Sequence, residues 1–168
     1  GIIKYNRCFA HCQGLKGDTM SSAALRNPNV FCIESNWAES SDLPRQSVYP
    51  LLDVIKMAYR IKVSYLNCNT IEEFLHNLKV ANRKYGVIYL AFHGKPGKLL
   101  IQDKEITLDE LADIIGRKFT RCGIHFASCS TLNMPKSAIR NFIEKTGVSF
   151  VSGYSKSVYW IPSAAVDL

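Results

Sequence analysis

TIEEFLHNLKVANRKYGVIYLAFHG, residues 70–94, holds a helix, a stop and a strand in one run. Thr70 and Glu73 have the spacing of a capping box, in which the hydroxyl satisfies an orphan first-turn amide and the carboxylate reaches back to the cap. Ile71, Phe74, Leu75, Leu78 and Ala81 then fall on one helical face, and the helix is expected to stop near Gly86. VIYLAF, residues 87–92, is an unbroken apolar run, the pattern of a strand covered on both faces. A helix feeding such a strand is half of a crossover unit.

The same alternation extends both ways from this stretch. Upstream, IKVSYL (61–66) reads as a strand, Pro50 suits the first turn of a helix presenting Leu51, Leu52, Ile55 and Ala58, and VFCIES (30–35) is a short buried strand. Downstream, Gly94, Pro96 and Gly97 break the chain and LLIQ (99–102) forms a small hairpin extension. Thr107 with Glu110 makes a second capping box ahead of Leu108, Leu111, Ala112 and Ile115. IHFAS (124–128) is the next strand, Ile139, Phe142 and Ile143 mark a helix after Pro135, and VSFVSG (148–153) is a last strand. Strands and helices in this order predict an α/β three-layer sandwich with a mostly parallel central sheet.

The chain has 168 residues, 47% of them hydrophobic, enough for one domain with a core of its own. That domain is expected over 29–168. Residues 1–28 show neither period and are read as an irregular N-terminal extension in which Met20 is a candidate for the authentic start; Cys8, His11 and Cys12 there lack a fourth metal ligand. IPSAAVDL (161–168) reads as the opening of a further helix, so the domain is expected to be curtailed at the C-terminus.

The formal net charge is +7, but the Lys and Arg residues are scattered and match no nucleic-acid reader motif, so a solvated surface is expected in place of a nucleic-acid partner. No apolar run approaches the length of a membrane span, and none has the form of a secretory leader, so no membrane partner is expected and the location is read as cytoplasmic. Six cysteines without repeated spacing, three of them in or beside strands, fit reduced thiols.

In open parallel sheets, sites form at the carboxyl ends of the strands. YLAFHG puts His93 just after one strand, and HFASCS puts Cys129 just after the next strand of the core. A thiol becomes a nucleophile when an imidazole takes its proton or, as imidazolium, favours the thiolate. Gly94, having no Cβ, lets its amide approach a substrate oxygen and is expected to form an oxyanion hole with the amide of Cys129, with Ser130 or Asn133 as further candidates. Read singly, a cysteine closing a strand is a small buried hydrophobe and a histidine beside a glycine is a turn residue. Their joint occurrence in this order favours chemistry.

YLAFHG followed by IHFASCSTL resembles the His-Gly and strand-Cys blocks of the caspase-like cysteine peptidases, the group that includes caspases, metacaspases, legumain, gingipains, separase and the bacterial CHAT domains. The likeness follows the element order over 29–168. It implies a caspase-hemoglobinase fold, Cys129 as nucleophile and His93 as base, hydrolysis of a protein or peptide substrate through an acyl-enzyme, no metal or organic cofactor, and, by likeness to small CHAT-like proteins, a prokaryotic defence or signalling setting with a regulatory protein partner. Ser128 departs from the alanine that many relatives carry before the cysteine. Catalytically silent scaffolds of caspase-like or flavodoxin-like form are the alternative.

Glu34, Trp37, Ser152, Tyr154 and Trp160 fall at the ends of the first and last strands or just beyond and are expected to line the substrate pocket. An acidic wall from Glu34 or Asp103 would favour Lys or Arg before the scissile bond. His76 and His125 are read as structural, as are Cys32, Cys68 and Cys122.

Overall fold

The computed structural model describes residues 28–35, 47–82, 84–102 and 104–158. Nearly all of the expected N-terminal extension, together with Trp37, Asp103, Trp160 and the helix expected from residue 161, lies outside them. In chain order the elements are β1 (Val30–Glu34), α1 (Tyr49–Tyr59), β2 (Val63–Asn67), α2 (Ile71–Val80), β3 (Val87–Ala91), β4 (His93–Lys95), β5 (Lys98–Ile101), β6 (Lys104–Thr107), α3 (Leu108–Ile115), β7 (Gly123–Ala127), α4 (Lys136–Thr146) and β8 (Phe150–Gly153).

Both capping boxes form. The Glu73 amide donates to Thr70 Oγ1 at 3.2 Å and the Glu110 amide to Thr107 Oγ1 at 3.1 Å, with each glutamate returning to its cap amide. Gly147, at φ 70°, closes α4 in the left-handed conformation that glycine adopts without a steric penalty.

β2, β1, β3, β7 and β8 form one parallel sheet in that order. Alternation along the strands divides their side chains between two cores. Phe31, Ile33, Ile88, Leu90, Ile124 and Phe126 pack under α2, α3 and α4, whereas Cys32, Tyr89 and Ala91 pack under Val48 and Leu52 at the start of α1. The molecule is thus a three-layer α/β sandwich with a parallel five-stranded centre. The path runs from β1 to β2 in one direction and from β3 through β7 to β8 in the other, with α1 on the opposite face from α3 and α4, as right-handed crossovers require. The reversal places a topological switch point between β1 and β3, where the outgoing loops diverge.

Local readings differ from expectation in three places, the first being that α2 ends at Val80, short of Gly86, because Ala81 already takes an extended ψ of 141°. The strand expected at 61 begins at Val63, because pairing starts where Val63 meets Val30, and the Lys62 amide is bound by the Asn29 side chain at 2.9 Å. The small hairpin is a three-stranded antiparallel sheet, β4–β5–β6, whose third strand KEIT is half exposed and polar and so carries little hydrophobic signal.

Candidate active site

β3 and β7 are immediate neighbours, with Ala91 opposite Ala127. Two residues beyond that pair stand His93, the first residue of β4, and Cys129, in the turn that follows β7. A Cβ built on Gly94 would lie 2.3 Å from Thr131 Oγ1, 2.5 Å from the Cys129 carbonyl oxygen and 3.1 Å from Ser128 Cβ. Gly94 therefore faces the cysteine turn directly, and only a residue without a side chain fits there. Alternation sends His93, next to Gly94 in β4, to the opposite side, the side of Ala91, while Cys129 sits in the turn that follows β7. His93 is exposed and Cys129 half-buried.

Hydrogen bonds fix the turn that carries Cys129. Ser130 takes a positive φ of 56°, and the Asn133 amide donates back to its carbonyl at 2.8 Å. The buried Ser128 and Thr131 hydroxyls are 2.7 Å apart, and Thr131 Oγ1 donates to the Lys98 carbonyl at 3.1 Å. The Gly97 amide donates to the Thr131 carbonyl at 3.0 Å. The hairpin bearing His93 and Gly94 is thereby seated on the cysteine turn. Ser128, just before the cysteine, is part of this seat.

The segment after β8 borders the thiol on another side. The Ser130 amide donates to the Lys156 carbonyl at 3.1 Å and the Leu132 amide to the Tyr154 carbonyl at 3.0 Å. Cys129 Sγ receives the Val158 amide and donates to the Val158 carbonyl, each at 3.5 Å.

Cys129 is the one thiol among the described residues that is not buried. Burial pushes the Cys68 thiol up to about 12 and, with the charge of Glu34 and then Cys68 adding to it, raises Cys32 well above its ordinary value. Cys122 donates to the Tyr85 carbonyl at 3.2 Å inside the core. A thiolate nucleophile needs access, which leaves Cys129. Among the described residues no group of three His, Cys, Asp or Glu side chains is placed to hold a metal ion.

The expected pocket residues divide. Glu34 lies at the tip of β1 beside β3 but is only 1% exposed, and its carboxylate accepts from the Val48 amide at 2.8 Å, from the Ser47 hydroxyl at 2.6 Å and from the Tyr65 hydroxyl. It is a long-range cap for α1, placing negative charge at a helix N-terminus that has no side-chain cap of its own. Burial and this bond hold the Tyr65 phenol above its usual range. With its oxygens so engaged, Glu34 is not an open acidic wall. Ser152 pairs with His125, four residues before Cys129 and so roughly 13 Å down the strand at ~3.3 Å per residue. It binds His125 Nδ1 at 2.8 Å, and both line a groove of about 510 Å³ between α1 and the sheet. Tyr154 does stand beside the cysteine turn, through its carbonyl, while its ring meets His125 edge-on at 6.1 Å. Thr131 was not a sequence candidate; the Ser-x-x-Thr spacing around the turn, a common hydroxyl-braced pattern, is the signal that marks it.

The sequence profile of the DUF6642 family, described as a family of unknown function, matches residues 27–168, and the chain belongs to that family. No curated protein matches it in sequence. Among solved structures it is similar to the two-electron reduced flavodoxin of Megasphaera elsdenii at 11% identity and a TM-score of 0.38, over 80% of this chain and 92% of that one.

Proposed function

We propose that this DUF6642 member is a caspase-like cysteine peptidase of the cytoplasm, with Cys129 as nucleophile and His93 as general base. The observation that carries the reading is the seating of Gly94 on the Cys129 turn, which brings the His-Gly block and the cysteine to neighbouring strand tips. In the reaction His93 takes the Sγ proton and sulfur attacks the scissile carbonyl carbon. The Gly94 and Cys129 amides hold the oxyanion. The imidazolium then protonates the departing amine, leaving a thioester. Water, deprotonated by His93, attacks the thioester and releases the acid and the thiol. No described helix is long and apolar enough to cross a membrane. Protein or peptide substrates, a regulatory protein partner and a prokaryotic defence or signalling role follow from the family resemblance.

An electrophilic peptide ketone tests this. It is expected to label Cys129 ahead of Cys32, Cys68 and Cys122, and His93→Ala to suppress that labelling. Equal labelling of native and His93→Ala protein sinks the peptidase reading. One observation favours the second reading, a catalytically silent interaction module: Sγ is already engaged by both backbone groups of Val158. In that case Cys129 is a structural tie, and Cys129→Ala lowers stability while peptide probes fail to react at any thiol.

A further inference from the structure

Thr131 is fully buried, at 0% exposure, two residues past the thiol. A hydroxyl has one proton, and the Lys98 carbonyl can only accept, so the Thr131 proton goes there; the Ser128 hydroxyl must then donate to Thr131 Oγ1. The result is a directed chain from Ser128, which precedes the nucleophile, through Thr131 to Lys98 at the head of β5. β5 pairs with β4, setting Lys98 opposite Lys95 and Leu100 opposite His93. The Thr131 backbone repeats the connection, its carbonyl taking the Gly97 amide at 3.0 Å, and its hydroxyl lies over the space where Gly94 lacks a side chain. Every route from the cysteine turn to the histidine hairpin among these bonds passes through this residue.

We infer that Thr131 is a positioning residue whose hydroxyl sets the separation of the His93 imidazole from the Cys129 sulfur. The inference rests on the peptidase reading and deepens it. A β-branched side chain has few χ1 choices, so the hydroxyl is held where both partners need it. Thr131→Val keeps the shape and removes the bonds, and a shift of about 1 Å between reacting groups is enough to reduce a rate by up to about a hundredfold.

The experiment reads the rate of carbamidomethylation of Cys129 by iodoacetamide at neutral pH, by mass spectrometry, on the full chain, with melting curves for each variant. Thr131→Val is expected to slow labelling about tenfold or more, and Thr131→Ser to restore it to within about threefold of the native rate. In a His93→Ala background, Thr131→Val is expected to change nothing further, because a residue acting through the imidazole has no effect once the imidazole is gone. Ser128→Ala, which cuts the same chain from its other end, stands in if Thr131→Val does not fold. A native rate in Thr131→Val, a serine variant as slow as the valine one, or additive effects in the double variant each overturn the positioning role. If His93→Ala alone labels at the native rate, it is the peptidase reading that fails, and the inference with it.

Discussion

Gly94→Ala adds a single methyl at the most crowded point of the candidate site. Its carbon would sit 2.3 Å from Thr131 Oγ1 and 2.5 Å from the Cys129 carbonyl oxygen, where about 3.5 Å is comfortable, so roughly 1 Å of relief is needed. The Thr131 hydroxyl has two partners to lose by turning away, and the Cys129 carbonyl moves only if the turn's backbone moves. Overpacking of this kind costs about 1–3 kcal/mol, and breaking the Thr131 bond to Lys98 adds about 1 kcal/mol. A total near 3 kcal/mol corresponds, at about 2–4 °C per kcal/mol for a chain of this size, to a melting point lower by about 6–12 °C. Urea unfolding followed by circular dichroism measures the free energy, and iodoacetamide labelling of the same variant reports how far the imidazole and thiol have separated. Stability within about 0.5 kcal/mol of native, with unchanged labelling of Cys129, would refute the close seating of hairpin on turn.

Glu34→Ala strands the Val48 amide and two hydroxyls in a buried site; with about 1–3 kcal/mol for each uncompensated group and partial rescue by water, a loss of about 3 kcal/mol is expected in urea unfolding. A loss no larger than that of an exposed control such as Asp53→Ala would show that the carboxylate does not anchor α1. The exposed Glu105 carboxyl is held down at about 2 by hydrogen bonds from Lys95 and Lys98. Because its folded value is depressed, its contribution is complete above the unfolded value of ~4.3 and fades as pH falls toward 2, so native and Glu105→Gln proteins should converge in urea midpoint over that window, and converge everywhere in high salt. Parallel midpoint curves from pH 6 to pH 2 would contradict it.

The elements most legible in the sequence are those made by neighbours in the chain. The boxes at Thr70–Glu73 and Thr107–Glu110 are contacts three residues apart, and they formed where the spacing put them. The apolar runs that became β3 and β7 were readable because both faces of those strands are covered. β6 was not, since a polar strand with one wet face resembles a loop until its partner is known. Glu34 looked like a pocket residue because its position at a strand tip is visible, while the amide and hydroxyls that claim it come from residues 47, 48 and 65.

Local pattern, then, determined the α/β alternation, the caps and the placing of His93 and Cys129 at strand ends, because each depends on hydrogen bonding and side-chain periodicity within a few residues. Only tertiary structure decided that the two strands are neighbours, that Gly94 rests on the cysteine turn and that Thr131 bridges turn to hairpin. Those are contacts between segments some thirty residues apart, fixed by sheet order and by the burial of polar groups that must find partners wherever the fold supplies them.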